Sequence, residues 1–221
     1  MEVREDVLYW LRKKAHHMES TVPQNSIFQQ NLSSLTALLA SLEPLEPAVN
    51  RAAELLAEAL LGGSKLLACG NGGSAADASH LTTEFVVRFQ ADRRPYPAIS
   101  FTANGGDLTA CGNDYSFDEI FARQVRAYGQ RGDILFAFTT SGNSENVLRA
   151  LLTAKREGVA TVAFLGRDGG RTAGVADVEL IVRHDVTARI QEAHKLLLHT
   201  ICEMVEVRLH AAAMEGKQPA L

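Results

Sequence analysis

The sequence predicts an α/β protein built on a doubly wound, five-stranded parallel sheet flanked by helices. From Lys65 onward five short apolar runs alternate with amphipathic stretches of helical length, the pattern of βαβ units. The first and third runs are each followed by a turn rich in Gly, Ser, Thr or Asn, at the strand ends where parallel sheets bind ligands. An apolar fraction of 46% with 22% charged residues is ordinary for a chain that buries a core.

In chain order, residues 1–62 read as a helical segment. Apolar spacing recurs at Val7, Leu8 and Leu11 and again from Leu32 through Leu61, with Pro23 as a break between them. These faces are wide for a lone surface helix, so burial against another subunit is expected and the N-terminal helices are assigned to oligomerisation. Gly62-Gly63-Ser64 reads as a helix stop. Residues 63–214 are the α/β core and a last helix, within a single domain over 1–221. The strand runs are KLLAC (65–69), PAISF (97–101), DILFAFT (133–139), ATVAFL (160–165) and VELIV (178–182). Helices are expected over Ala75 to Phe89, Phe117 to Tyr128, Ser144 to Glu157 and Ala188 to Ala212.

Composition narrows the function. The net charge is −4 and the basic residues are dispersed, so no nucleic-acid partner is expected. MEVREDVLYWLRKK lacks the apolar core of a signal peptide, and no stretch approaches the ~18 apolar residues of a spanning helix, so a cytoplasmic protein without a membrane partner is expected. Cys69, Cys111 and Cys202 follow no metal spacing and read as buried thiols.

After KLLAC comes Gly70-Asn71-Gly72-Gly73-Ser74 and then a helix, which offers glycines for close approach, a hydroxyl and free helix N-terminal amides. After DILFAFT comes Thr139-Thr140-Ser141-Gly142-Asn143-Ser144, again opening a helix. Such loops hold a phosphate through oriented amides rather than net charge, which suits an acidic protein with an anionic ligand. The same residues also make ordinary strand-to-helix turns, and that alternative weakens because both loops fall on one edge of one sheet. Neither loop has the Lys of a Walker loop or the spacing of a dinucleotide fingerprint.

His80 and Glu84, four apart, share a helix face and could hold a metal, meet a substrate or form a solvated surface pair. On the last helix Gln191 and His199 lie within about 80° of one another. An interior His in an apolar helix is either a satisfied core group or a functional one. Isomerisation of a phosphosugar between ketose and aldose needs a base at two adjacent carbons and a proton shuttle for the oxygens, tasks that Glu and His fit. A divalent ion on two His, a carboxylate and an amide oxygen would instead polarise the carbonyl, and zinc suits such ligands. His16, His17, His184, His194 and His210 receive no role.

Together GNGGSAADASHLTTEFVVRF, LTACGNDYSFDEIFARQV, TTSGNSENVLRAL and ARIQEAHKLLLH resemble the phosphoheptose isomerases of the sugar isomerase (SIS) fold over roughly residues 30–210. The resemblance implies conversion of sedoheptulose 7-phosphate to D-glycero-D-manno-heptose 7-phosphate through an enediol, for heptoses of bacterial surface glycans. It implies a homotetramer with sites between subunits. It implies Glu84 as the base at C1 and C2, His199 as the opposing acid-base group, and a zinc site of His80, Glu84, Gln191 and His199. Substrate contacts would come from Asn71, Gly72, Gly73, Ser74, Thr139, Thr140, Ser141, Ser144 and Gln191, with Arg88 nearby. Asn104 stands where many relatives carry Asp, turning a pure acceptor into a mixed donor and acceptor. Initiator-associating DnaA-binding regulators share the fold but lack the Glu and His at positions 84 and 199. They are the non-catalytic alternative, and an isomerase or sensor of another phosphosugar is a third.

Overall fold

The computed structural model describes residues 26–216, which divide between a short first unit ending at Ala37 and a second, beginning at Leu38, that contains the whole sheet. Val7, Leu8, Leu11, His16, His17 and Pro23 lie outside the described residues. Helix α1 (Ile27–Ala40) opens on a capping box: the Gln29 amide donates to Ser26 Oγ at 3.2 Å and the Ser26 amide to Gln29 Oε1 at 3.3 Å. Helix α2 (Glu46–Leu61) starts with Pro47 in its first turn and stops where Gly63 turns left-handed at φ 82°, as the Gly-Gly-Ser stop requires.

Strands and helices alternate from there, except that two helices join β2 to β3 and only a 3₁₀ turn joins β4 to β5: β1 (Leu66–Gly70), α3 (Gly73–Val86), β2 (Ala98–Ser100), α4 (Gly105–Asp114), α5 (Ile120–Tyr128), β3 (Ile134–Thr139), α6 (Glu145–Glu157), β4 (Ala160–Gly166), β5 (Val178–Val182) and α7 (Thr187–Met214). All pairings are parallel and the strand order is β2-β1-β3-β4-β5. The five expected strands are all present, the first ending one residue later than its apolar run suggests, at Gly70, which pairs with Phe138.

Some boundaries move. Helix α3 begins at Gly73 rather than Ala75 and ends at Val86 rather than Phe89. The segment read as one helix over Phe117 to Tyr128 is a 3₁₀ turn, Phe117–Glu119, followed by α5. Helix α4 was not anticipated, because Gly105, Gly106 and Gly112 depress its propensity. It forms on an Asn104 cap, whose Oδ1 accepts from the Gly106 amide at 3.0 Å, and on the burial of Cys111.

Each strand sends alternate residues to opposite layers. Leu66, Ala68, Ile134, Phe136, Phe138, Val162 and Phe164 face a core closed by α2, α3 and α7. Leu67, Cys69, Leu135, Ala137, Ala163 and Leu165 face a second core closed by α4, α5 and α6. The consequence for function is that α3 and α7 lie in the same layer, side by side, and that the chain reverses its winding between β1 and β3. That crevice is where a doubly wound sheet takes its ligand.

Candidate functional site

Both phosphate-type loops meet at this crevice. The loop after β1 leads through Gly72, at φ 57°, into the first turn of α3, and Ser74 is buried there. Gly70 must be glycine, since a Cβ would press to 2.6 Å from the Ser74 carbonyl oxygen. The loop after β3 gathers its hydroxyls: Thr139 Oγ1 lies 3.1 Å from Ser144 Oγ and 3.4 Å from Ser141 Oγ, and it accepts from the Gly142 amide at 3.2 Å. Thr140 follows, half-buried, in the same loop. A reciprocal amide pair clamps the loops together, with Asn71 Nδ2 donating to Asn146 Oδ1 at 2.9 Å and Asn146 Nδ2 to Asn71 Oδ1 at 3.0 Å.

An acidic residue opens α6, but Glu145 does not spoil this positive helix end. Its hydrogen bond to Arg149, 2.7 Å, holds its carboxyl below the usual carboxylate range, and Arg171 pairs with the other oxygen at 2.9 Å. At the start of α3 the Ser74 and Ala75 amides already donate to the Asn71 and Gly72 carbonyls, both at 3.0 Å. The start of α6, the glycines of the first loop and the cluster of hydroxyls are therefore what the crevice offers, an arrangement suited to a phosphate dianion.

Helices α3 and α7 run in the same direction and meet in successive rungs. At the first, Gly73 lets the Gln191 side chain lie against the start of α3, where a Cβ would collide with Nε2. At the second, Lys195 Nζ bonds Asp77 Oδ1 at 2.8 Å. At the third, His80 Nε2 lies 2.9 Å from His199 Nε2 and 3.0 Å from Glu84 Oε1. The donor atoms of His80, Glu84 and His199 all fall within 4.8 Å of one another, and all three residues are half-buried. Burial lowers the His80 pKa and the Lys195 ammonium lowers it further, against the opposing pull of Glu84, so a neutral imidazole is favoured.

Sequence reasoning missed the parts that hold this rung. Phe89 stacks on the His199 ring with centroids 5.7 Å apart. The loop carrying Phe89 is tied to α7 by Glu206, whose Oε2 accepts from the Gln90 and Ala91 amides at 3.1 and 3.0 Å and whose Oε1 pairs with Arg93 at 3.2 Å. Burial pushes the Glu206 pKa up, but those amides and Arg93 together hold it below the ordinary value. Asn146 was read only as part of a helix. None of these partners is near in sequence, so no local signal marks them.

Two expected contacts stand apart from the cluster. Arg88 lies beyond the end of α3, exposed, with Nη1 donating to Gln90 O at 3.0 Å. Asn104 is exposed and uses its Oδ1 as the cap of α4.

A switch-point crevice with two amide- and hydroxyl-lined loops and a His-Glu-His cluster on the adjoining helices defines a doubly wound protein built to hold an anionic ligand beside acid-base or metal-binding groups. The SIS domain family model matches residues 30–166. The phosphoheptose isomerase of Shewanella loihica is 47% identical over 176 residues, which cover 78% of this chain and 89% of the relative. A phosphoheptose isomerase structure from Neisseria gonorrhoeae superimposes with a TM-score of 0.77 at 40% identity, covering 81% of this chain and 97% of that one. One from Francisella tularensis gives the same TM-score, 0.77, at 39% identity. The chain belongs to the phosphoheptose isomerases of the SIS domain family.

Proposed function

We propose that this protein is an aldose-ketose isomerase that converts sedoheptulose 7-phosphate to D-glycero-D-manno-heptose 7-phosphate. The observation that carries the reading is the His80-Glu84-His199 cluster, two of whose members stand on the very helix that opens at the phosphate cradle, with His199 brought to them by α7. From Gly73 to His80 the helix rises by roughly 10 Å at 1.5 Å per residue. An extended seven-carbon sugar phosphate measures roughly 9 Å from phosphorus to C2, given carbon-carbon bonds of about 1.5 Å. A phosphate in the cradle therefore brings C1 and C2 to the cluster.

There the chemistry follows from proton bookkeeping. With Oε1 engaged by His80 Nε2, Glu84 takes the proton from C1 on Oε2, forming the enediol, and returns it to C2. His199 moves the hydroxyl proton from O1 to O2, so the ketone closes to a hydroxyl as the aldehyde forms. Phe89 and His80 fix the His199 ring from two sides. The converging imidazole nitrogens and carboxylate fit zinc, whereas Gln191, the amide ligand the family pattern adds, has its side chain against Gly73 at the first rung. When bound, the ion would polarise the substrate carbonyl. Zinc, a homotetramer with sites between subunits, cytoplasmic location and a role in heptose supply for surface glycans belong to this same proposal. Among the described residues no helix is long and apolar enough to cross a membrane.

The test is incubation with sedoheptulose 7-phosphate and NMR identification of the product, with and without chelator. Glu84→Gln and His199→Asn are each expected to cut turnover by at least ~10²-fold with the circular dichroism spectrum unchanged. Full activity in either variant refutes the assigned role, and a wild-type protein that leaves the substrate unchanged refutes the function.

A further inference from the structure

Between the cradle and the acid-base cluster the seam of α3 and α7 carries one more polar rung, and it is unusual. Asp77 is only 5% exposed, and its Oδ2 is buried without a hydrogen-bond partner among the described residues. Its other oxygen holds Lys195 Nζ at 2.8 Å, while the Lys195 side chain remains 34% exposed. A carboxylate this buried is costly unless it is paired, so the ammonium is fixed rather than free to wander. Lys195 stands four residues after Gln191 and four before His199, which puts it on the groove side of α7, one helical turn from each. Its charge reaches His80 as well, where it is one of the influences that lower the imidazole pKa.

An ammonium has three donors and no acceptor. Asp77 uses one of them, and two remain for oxygen atoms in the groove. A sugar phosphate that spans from cradle to cluster passes this point with its middle carbons, and those carbons carry hydroxyls. We propose that Lys195, anchored by Asp77, is a specificity-determining positioning residue that binds the mid-chain hydroxyls of the open-chain sugar phosphate, between its anchored phosphate and its reacting carbons. The inference rests on the isomerase reading above. It adds that the protein senses the polyhydroxylated chain, not only its two ends.

The experiment compares steady-state kinetics on sedoheptulose 7-phosphate with inhibition by inorganic phosphate, which occupies the cradle and has no chain to reach Lys195. In Lys195→Met and Lys195→Gln the KM is expected to rise about tenfold or more, the loss of a charged hydrogen bond, with kcat changed less. The inhibition constant for inorganic phosphate should stay within twofold of wild type. Lys195→Arg should recover part of the KM. Asp77→Asn, which frees the ammonium from its anchor, should raise KM in the same direction. An unchanged KM in both Lys195 variants overturns the proposal and leaves the pair as a strut between helices. An inhibition constant that shifts by the same factor as KM also overturns it, since the effect would then be a general attraction for anions. If the wild type does not turn the substrate over, the isomerase reading falls and this inference falls with it.

Discussion

Acidification should destabilise this protein through His194, and the size of the effect can be worked from its surroundings. His194 is fully buried on α7. Its Nε2 donates to the Leu165 carbonyl at 3.3 Å, its Nδ1 has no partner among the described residues, and the edges of its contacts are the rings of Phe138 and Phe164. Burial lowers its pKa from 6.5 to about 4, only partly offset by the Leu165 hydrogen bond. The folded pKa lies below the unfolded one, so the unfolded chain takes up a proton that the folded chain refuses. Stability from this group is complete above pH 6.5 and is lost as pH falls toward 4. At 1.36 kcal/mol per unit the total loss is about 3 kcal/mol, a large share of the ~5–15 kcal/mol that typically holds a domain together. Urea unfolding followed by circular dichroism from pH 8 to 4.5 measures it, and His194→Met, close in volume and without a titrating group, should flatten that part of the profile. Equal pH slopes for wild type and variant, or an NMR titration of His194 near 6.5, refute the reasoning.

The clamp between the phosphate loops should matter to both stability and binding. Asn71→Ala leaves the buried Asn146 amide without its two partners and is expected to cost about 1–3 kcal/mol in urea unfolding and to weaken competition by inorganic phosphate severalfold. Adding Asn146→Ala should cost little more, because the pair acts as a unit. Gly142→Ala should be worse: the position is left-handed at φ 66° and a Cβ would collide with the Gly169 carbonyl, so a loss of at least ~2 kcal/mol in the same assay is expected. Zinc, if bound as proposed, should raise the thermal midpoint of the wild type and fail to do so in His80→Ala, measured by scanning calorimetry before and after chelation.

The strands were legible because strands buried on both faces read as continuous apolar runs; β1 and β3 are buried at every residue. Their order in the sheet was not, since parallel runs do not state their neighbours. Helix α4 was hidden by its glycines and is created by a cap and by Cys111 against the second core. In the site, the spacing of His80 and Glu84 was visible as a helix face, but nothing local joins them to His199, 119 residues from His80. Resemblance supplied that link, and the fold then explained it by laying α3 and α7 in one layer. The Asp77-Lys195 rung, the Asn71-Asn146 clamp and the stacking of Phe89 are products of that layering, and each involves a residue type too common to attract notice alone.

Gln191 was expected to serve both substrate and metal, and Gly73 offers a way to separate the two. The three atoms nearest a Cβ at Gly73 all belong to the Gln191 side-chain amide, which can swing aside, and Gly73 does not take the left-handed backbone that would require glycine. Alanine is the better helix former, and Gly73 is the first residue of α3, so Gly73→Ala should fold about as well as wild type. Its effect should fall on function alone. If the Gln191 amide works at the start of α3, against the cradle, inorganic phosphate should inhibit the variant more weakly while zinc content stays at the wild-type level. If the amide is needed at the His80-Glu84-His199 cluster, moving it should change the zinc affinity and leave phosphate inhibition intact. The rung geometry, with the amide held at Gly73 and His199 two turns further along α7, favours the first outcome. A variant with unaltered phosphate inhibition and weakened zinc binding would refute that placement.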